Sequence, residues 1–385
     1  MSRVSTIAKK HLNFNSLHKT FSDQLLNIPD PRRQASCAYS LHDTVMSGFA
    51  CMYFQNSTLS QFQRCMEDSG KKNNLAALFN VKTTPKDTQF REIIDDVKSE
   101  AFRPVFKSYF EKLRRSKYLE SYQVLPNLYL CAIDGVYHHS SGKIHCNQCL
   151  TRKHRNGSVT YSHGVLQGAF VHPDKKHIIP TMPEPIANSD GTKKQDCEIS
   201  AAKRFIQKLR ADHPRLNILI VGDGLFSKGP MVNHVLAEKM HFLFVAKPKD
   251  HKHMMGWVAA QDSPPQIVAT DIEGQHHTYT YLNKVPLNAK EDAPIVNYIH
   301  YEITNKEGKV TYRNSWVTDI TVDDSNVIQL AKAGRCRWKI ENECFNTLKN
   351  QGYNLSHNFG HGKQNLSHNM YLLTLLAFFF HQIFE

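Results

Sequence analysis

The stretch Arg335-Cys336-Arg337-Trp338-Lys339-Ile340-Glu341-Asn342-Glu343-Cys344-Phe345-Asn346-Thr347-Leu348-Lys349 carries the most distinctive pattern of charged and apolar side chains in the sequence. At the helical spacing of about 100° per residue, Glu341 shares one face with a cation and bulky apolar residues, and Glu343 falls nearly opposite. That face comprises Arg337, Trp338, Glu341, Phe345 and Leu348. A carboxylate on an apolar helix face is costly unless a cation or metal ion neutralises it. The pattern therefore predicts a charged partner for Glu341.

The overall charge predicts a polyanionic partner. The 385 residues contain 48 Lys and Arg against 35 Asp and Glu, which gives a formal net charge of +13. A surplus of this size is typical of proteins that bind nucleic acid. The alternative is a basic protein without such a partner. The length predicts two or three domains and at least one full core.

The cysteine count and the apolar runs bear on the compartment. Nine cysteines form an odd set, and the first 15 residues lack the apolar stretch of a secretory signal. We therefore expect a cytoplasmic protein with reduced thiols. The longest apolar run, 370–384, is short for a membrane span and contains His381. It predicts a buried terminal helix and no membrane partner.

Four segments differ in their apolar patterns. The first segment is predicted to be helical, with a turn at 83–91 that opens a helix. Short helices joined by such a turn can form a DNA-binding unit of the helix-turn-helix type, and the alternative is a plain helical bundle. The second has the order β-β-β-α-β-α-β, the third alternates like antiparallel strands, and the last begins with a long helix at 325–350. The predicted fold class is α/β, with segments 1–125, 126–248, 249–324 and 325–385.

Three acidic residues stand where such a fold gathers its chemistry. Asp134 and Asp223 are predicted to end buried strands, and Glu341 lies on the helix after the last strand. Carboxylates alone suit Mg²⁺ or Mn²⁺, and two such ions can activate a water or a 3′-hydroxyl for attack on a phosphodiester. Each acid also has a structural interpretation, in an Asp-Gly turn or in an ion pair with Arg337. Glu198, at a helix start, is interpreted as a capping residue, with a helper role in catalysis as the alternative.

This combination resembles the DDE transposases of bacterial insertion sequences. Ala-Ile-Asp134-Gly and Val-Gly-Asp223-Gly-Leu-Phe-Ser match the two aspartates of the family, and Arg337 and Glu341 match the spacing of its Tyr-Arg-Glu-Lys signature. The resemblance covers residues 125–375. It implies an RNase H-like mixed sheet flanked by helices, an inserted antiparallel β subdomain, and a helical N-terminal domain in the position where the family binds DNA.

The signature is incomplete in this chain. Gly334 stands where the family has tyrosine, and Leu348 stands where it has lysine, with Lys349 one residue further on. The role of the signature lysine therefore stays open. Trp338 and Phe345 are interpreted as core residues that fix the angle of the helix, although an aromatic residue of this family type can stack on a displaced base.

By resemblance, the activity is cleavage of DNA at the ends of the protein's own insertion element, followed by attack of the 3′-hydroxyl ends on target DNA. Two Mg²⁺ or Mn²⁺ ions would be held by Asp134, Asp223 and Glu341. The expected partners are double-stranded DNA and a second copy in a homodimer, in the bacterial cytoplasm at the nucleoid. The alternatives are an RNase H-like nuclease without strand transfer and a non-enzymatic DNA-binding protein derived from a transposase.

Seven basic side chains are predicted to contact DNA. They lie on the predicted helix that carries Arg337 and Glu341 of the signature, or on a predicted polar hairpin tip beside the active site. They are Arg335, Arg337, Lys339, Lys349, Arg152, Lys153 and Arg155.

The segment His145-Cys146-Asn147-Gln148-Cys149, with His154, contains one Cys-x₂-Cys pair and flanking histidines. A structural zinc ion needs four ligands, which this segment supplies only by closing a tight local loop. We therefore predict a hairpin tip in preference to a zinc site. His357, His361 and His368 are interpreted as polar or DNA-facing residues, not as metal ligands.

Overall fold

The computed structural model describes residues 8, 10–33, 37–67, 69–188, 195–357 and 359–384, so part of the stretch searched for a secretory signal lies outside the described residues. The described part of the N-terminal segment is helical, as predicted. Ser40 caps the second helix by accepting a hydrogen bond from the Asp43 backbone N–H, as serine does at helix starts. The helices are α1 Phe14–Leu25, α2 Leu41–Tyr53, α3 Leu59–Glu67, α4 Ser69–Phe79, α5 Asp87–Asp95 and α6 Arg103–Arg115.

The second segment has the predicted alternation of strands and helices. Its central strand Ile218–Gly222 is buried along its whole length, which is why it reads as a continuous apolar run. The elements are β1 Gln123–Leu125, β2 Leu128–Ser141, β3 Leu150–Lys153, β4 Val159–Val171, β5 Ile179–Pro180, β6 Glu184–Ile186, α7 Glu198–Asp212, β7 Ile218–Gly222, α8 Gly229–Ala237, β8 His241–Val245 and α9 Lys252–Ala259.

One mixed sheet organises the fold. Strand β2 pairs antiparallel with β4 and parallel with β7, and β7 pairs parallel with β8. The path of neighbouring strands is β3-β4-β2-β7-β8-β12-β11-β10-β9, with β1 beside β2 and with β5 and β6 beside β4. Helices flank this sheet, so the predicted RNase H-like α/β core is confirmed.

The predicted antiparallel insertion is also confirmed. Its strands are β9 Gln266–Thr270, β10 His276–Pro286, β11 Ile295–Thr304 and β12 Val310–Thr318. Opposite residues Tyr279 and Tyr301 stack with their ring centroids 4.6 Å apart, a cross-strand aromatic pair of the kind that stabilises antiparallel sheets. Strand β12 pairs antiparallel with β8, so the insertion extends the core sheet.

Asp134 does not end its strand, contrary to the prediction. Strand β2 continues to Ser141 because its antiparallel pairing with β4 extends to that residue. The parallel pairing with β7, however, stops at Ala132 opposite Val221. Asp134 therefore lies just beyond the end of the parallel pair, where the backbone of β2 is paired on one side.

The predicted single helix at 325–350 is interrupted. Helix α10, Val327–Arg335, ends in a turn at Cys336, whose backbone N–H donates to the carbonyls of both Lys332 and Ala333. A π-helix, Ile340–Asn346, follows and runs into the short helix α11, Thr347–Asn350. Because a π-helix has i→i+5 hydrogen bonds, the spacing of 100° per residue fails across it.

The last helix, α12, Leu366–Phe384, confirms the predicted buried terminal helix. Most of its side chains are buried, and it packs against α2 of the N-terminal segment. Within the described ranges, the structure contains no helix long and apolar enough to cross a membrane.

Candidate active site

The core sheet brings the predicted acids towards one place. Asp134 lies two residues beyond Ala132 on β2, and Asp223 lies two residues beyond Val221, the β7 residue opposite Ala132. The two aspartates therefore lie just beyond the parallel-paired part of two neighbouring strands, which are about 4.8 Å apart. Glu341 enters from the π-helix, which contacts both β2 and β4.

A fourth acid, Glu198, joins them from the first turn of α7. A Cβ atom built on Gly135 would lie 2.7 Å from Glu198 Oε2, so the carboxylate packs directly on the backbone next to Asp134. The side chain that would cap this helix, that of Cys197, makes no capping hydrogen bond. Glu198 is the acid in the first turn of α7, as predicted for a helix start, and its carboxylate also lies close to the predicted acids.

The carboxylates alter one another's titration. Burial, together with the negative charges of Glu198 and Glu341, raises the pKa of Asp134 to about 7, against the effect of the Gly135 backbone N–H and of Arg337. Burial and the charge of Asp223 likewise raise the pKa of Glu198 above its ordinary value. These influences connect all four acids in one site with an excess of negative charge.

Arg337 forms ion pairs with two of the acids. Its guanidinium donates to the Glu341 carboxylate and lies 3.6 Å from Asp134 Oδ2. The predicted i,i+4 ion pair is therefore present, and it extends to the first aspartate. Trp338, interpreted as a core residue, is instead half exposed, and Arg337 Cζ lies 4.4 Å from its ring centroid. The chain turns at Cys336, directly after α10, and is π-helical from Ile340, so the spacing of 100° per residue that grouped Trp338 with the core residues does not hold across this segment; Phe345 is buried as expected.

The other predicted DNA-contacting cations differ in their surroundings. Arg335 is exposed, with its guanidinium 4.8 Å from the Tyr312 ring centroid, and Lys339 donates to the Lys175 carbonyl. Lys349 is exposed on α11. The remaining three, at and just after β3, are all exposed: Arg152, Lys153 and Arg155.

Two histidines join the Cys-x₂-Cys pair: His361, which was interpreted as a residue other than a metal ligand, and His163, for which no prediction was made. One ligand-type atom from each of Cys146, Cys149, His163 and His361 lies within 4.8 Å of those of the other three. The two neighbouring histidines considered from the sequence point elsewhere. His145 stacks on Tyr161, and His154 hydrogen-bonds Thr160. The sequence pattern missed both residues for different reasons: His163 lies 14 residues after Cys149 and reaches the cluster through the fold of β4, whereas His361 lies 212 residues after Cys149.

A comparison with protein families gives one match. The family model described as Transposase DDE domain matches residues 150–379, more than half of the chain. The matched range contains Glu198, Asp223 and Glu341, whereas Asp134 precedes it. A comparison with curated proteins found no match.

Proposed function

Because this chain belongs to the transposase DDE domain family, we propose that it cleaves the ends of its own insertion element and joins the 3′-hydroxyl ends to target DNA. The observation that best supports this proposal is that Asp134 and Asp223 lie just beyond the last parallel pair of β2 and β7, with Arg337 ion-paired to both Asp134 and Glu341. The three acids come from distant segments of the chain, and two of them contact an arginine, the side chain best suited to bind phosphate. This arrangement suits phosphoryl transfer better than it suits a purely structural ion pair.

The chemistry of the donor set fits hard divalent cations. Asp134, Asp223 and Glu341 offer oxygen ligands only, and burial with mutual repulsion raises the pKa of Asp134, as expected for acids that lack enough positive charge. These three side chains would hold two Mg²⁺ or Mn²⁺ ions. Such ions, when bound, activate an attacking water or hydroxyl and stabilise the leaving oxygen.

Arg337 has two roles in this proposal. Its ion pairs with Glu341 and Asp134 hold the acid side chains in place before DNA enters. Its guanidinium is also a bidentate donor suited to a phosphate oxygen pair. The exposed ring of Trp338, stacked against that guanidinium, offers a surface on which a base displaced from the duplex can stack.

The surrounding cations supply the affinity for the DNA backbone. The net charge of +13 and the exposed side chains of Arg335, Lys349 and the β3 region support this part of the proposal. We also propose that Lys339 contacts the DNA backbone, although its side chain donates a hydrogen bond to the Lys175 carbonyl. We further propose that the helical segment 1–125 binds DNA, that the protein acts as a homodimer when two element ends are joined, and that it works at the bacterial nucleoid.

The test uses DNA from both flanks of the coding region, which would contain the element ends. The purified full-length chain is incubated with these fragments, a target plasmid and Mg²⁺ or Mn²⁺, and cleaved and joined products are separated on gels. Replacement of Asp134 or Asp223 by Asn, or of Glu341 by Gln, is expected to lower cleavage by more than about 100-fold, while DNA binding measured by mobility shift persists.

Glu343→Gln is the matched control, since Glu343 lies in the same π-helix but lines a cavity with Tyr53, Lys176 and Tyr353. Its cleavage should equal that of the unchanged chain. Cleavage without joined products would instead identify a nuclease. DNA binding without any cleavage would identify a binding protein and overturn the proposal.

A further inference from the structure

A second cluster of ligand-type side chains lies apart from the acids, in the region where β2 and β4 continue past the core. Cys146 and Cys149 occupy the connection between β2 and β3, His163 lies on β4, and His361 lies between α11 and α12. Three of the four, Cys149, His163 and His361, are buried. The oxygen-only chemistry of the active site gives these thiols and imidazoles no role.

Five of the six distances within this cluster are close to those of a tetrahedral set of ligands, and all four ligand atoms lie within 4.8 Å of one another. Cys146 Sγ lies 3.9 Å from Cys149 Sγ and 3.5 Å from His163 Nε2. Cys149 Sγ lies 3.3 Å from the Nε2 atoms of both histidines, which are 3.1 Å from each other. Zinc bonds of about 2.3 Å to sulfur and about 2.0–2.1 Å to nitrogen place tetrahedral ligand atoms about 3.3–3.8 Å apart.

Neighbouring groups orient two of the ligands. His361 Nδ1 lies 2.7 Å from the Gly362 carbonyl, so a ring that donates there presents the lone pair of Nε2 to the cluster. The backbone N–H of Cys146 donates to Cys149 Sγ over 3.4 Å, and the Cys149 N–H donates to the Cys146 carbonyl. The Cys-x₂-Cys segment thus forms a turn with both sulfurs on one side, and a backbone donor stabilises a thiolate.

We propose that Cys146, Cys149, His163 and His361 bind a structural zinc ion. Two thiolates and two imidazoles are the ligands that zinc prefers, and a divalent cation with two thiolates is a neutral unit that can be buried. The four protein ligands fill the tetrahedron, so this site is a closed one without a position for substrate. It differs from the site considered from sequence in two ligands, because His163 and His361 replace His145 and His154.

The position of the site indicates what the metal does. Cys149 and His361 are separated by 212 residues, so the ion would link the connection between β2 and β3 to the segment between α11 and α12. A metal that closes so long a loop restricts the unfolded chain strongly. It would also fix β3, with its exposed Arg152 and Lys153, against the rest of the core.

The test measures metal in the full-length chain purified without chelators. Elemental analysis is expected to find one zinc ion per chain. The Cys146→Ser/Cys149→Ser double variant and His361→Asn are expected to lose it. His145→Asn, His154→Asn and Cys197→Ser are matched controls, because they remove nearby or exposed ligand-type side chains outside the cluster, and each should keep its zinc.

Two further measurements protect the test against variants that fail to fold. Replacement of zinc by Co²⁺ in the unchanged chain should give the visible absorption of a tetrahedral site with thiolate ligands. A strong chelator should lower the melting temperature, and added Zn²⁺ but not Mg²⁺ should restore it. A chain that purifies without zinc and shows no thiolate–cobalt absorption overturns the proposal, as does zinc retained by the double cysteine variant. Neither result depends on DNA cleavage.

Discussion

The carboxylate of Glu198 illustrates how one residue changes the electrostatics of the acid site. It packs on Gly135, whose lack of a Cβ atom leaves room for it, and it lies within electrostatic reach of both Asp134 and Asp223. Burial and neighbouring carboxylates together disfavour the charged forms of these acids. Glu198 therefore adds negative charge to the site, which a bound cation would neutralise.

Replacing Glu198 by Gln keeps its shape but removes its charge. Because the site then attracts cations less strongly, we expect its affinity for Mn²⁺ to fall about tenfold. The affinity can be measured by titration calorimetry with the full-length chain. Glu343→Gln, which removes a carboxylate that lines a cavity with Tyr53 and Lys176, should bind Mn²⁺ as the unchanged chain does. If Glu198→Gln binds Mn²⁺ as tightly as the control while Glu341→Gln binds it more weakly, Glu198 has no part in cation binding. Its role would then be limited to the start of α7.

The sequence indicated Asp134, Asp223 and Glu341 because each stands in a recognisable local pattern. Glu198 lacked such a signal, since an acid in the first turn of a helix is ordinary and its position beside Asp134 arises only when α7 packs on the sheet. His163 and His361 were missed for a similar reason. Their approach to Cys146 and Cys149 depends on the position of β4 and on the path of the segment between α11 and α12.

At the scale of elements, the signature segment differs most from its predicted form. The strands and helices of the core were predictable because their apolar periods are regular, as in β7 and α7. The change from α10 to the π-helix at Ile340–Asn346 has no such period, so sequence spacing assigned Trp338 to the core. π-Helical turns occur often at functional sites, and this one carries Glu341.

Gly334 shows why the signature tyrosine has no place in this chain. A Cβ atom at Gly334 would lie 2.5 Å from Cε2 and 2.6 Å from Nε1 of the fully buried Trp316. The indole thus occupies the space that any larger side chain at this position would need. The close contact between α10 and β12 also fixes the start of the segment that carries Arg337 and Glu341.

Gly334→Ala is therefore expected to destabilise the protein even though alanine favours helices. Overpacking against Trp316 should lower the free energy of unfolding by about 1–3 kcal/mol. This loss outweighs the gain of about 1 kcal/mol that alanine brings in helix propensity. Urea unfolding followed by tryptophan fluorescence measures the change. The matched control is Gly256→Ala in α9, where nothing lies within 4 Å of the added atom. It should stabilise slightly, and equal stabilisation by both substitutions would show that the indole yields easily.

At the scale of the whole molecule, the two ends of the chain share a core. Helix α12 packs on α2 and α5, and the Asn369 side chain donates to the carbonyls of Ile94 and Val97. Local sequence patterns identified both segments as helical but carried no information on this contact, because it joins residues more than 270 positions apart. The domain boundary at residue 125 stays a prediction, and the packing of α12 on α2 and α5 indicates that these helices depend on one another for stability.

Asp95, at the end of α5, is the polar centre of this contact. Its carboxylate accepts hydrogen bonds from the backbone N–H groups of Lys363, Gln364, Asn365 and Leu366, at 2.7–3.0 Å, and so caps α12 from another segment of the chain. Burial opposes the charged form, but these four donors lower the pKa of Asp95 below its ordinary value. A carboxyl with a depressed pKa stabilises the fold above its unfolded-state pKa, and this contribution disappears as the pH falls through the folded-state value.

Asp95→Ala is expected to reduce the free energy of unfolding by about 1–3 kcal/mol at neutral pH, since it leaves four donors without their acceptor. The neighbouring exposed Asp96→Ala is the matched control and should change stability by less than about 0.5 kcal/mol. The three tryptophans, Trp257, Trp316 and Trp338, all lie outside 1–125, so fluorescence follows the core while far-ultraviolet circular dichroism follows all helices. If the ends of the chain unfold together, Asp95→Ala should shift both transitions equally. A shift confined to circular dichroism would instead show that the N-terminal helices detach while the catalytic core stays folded.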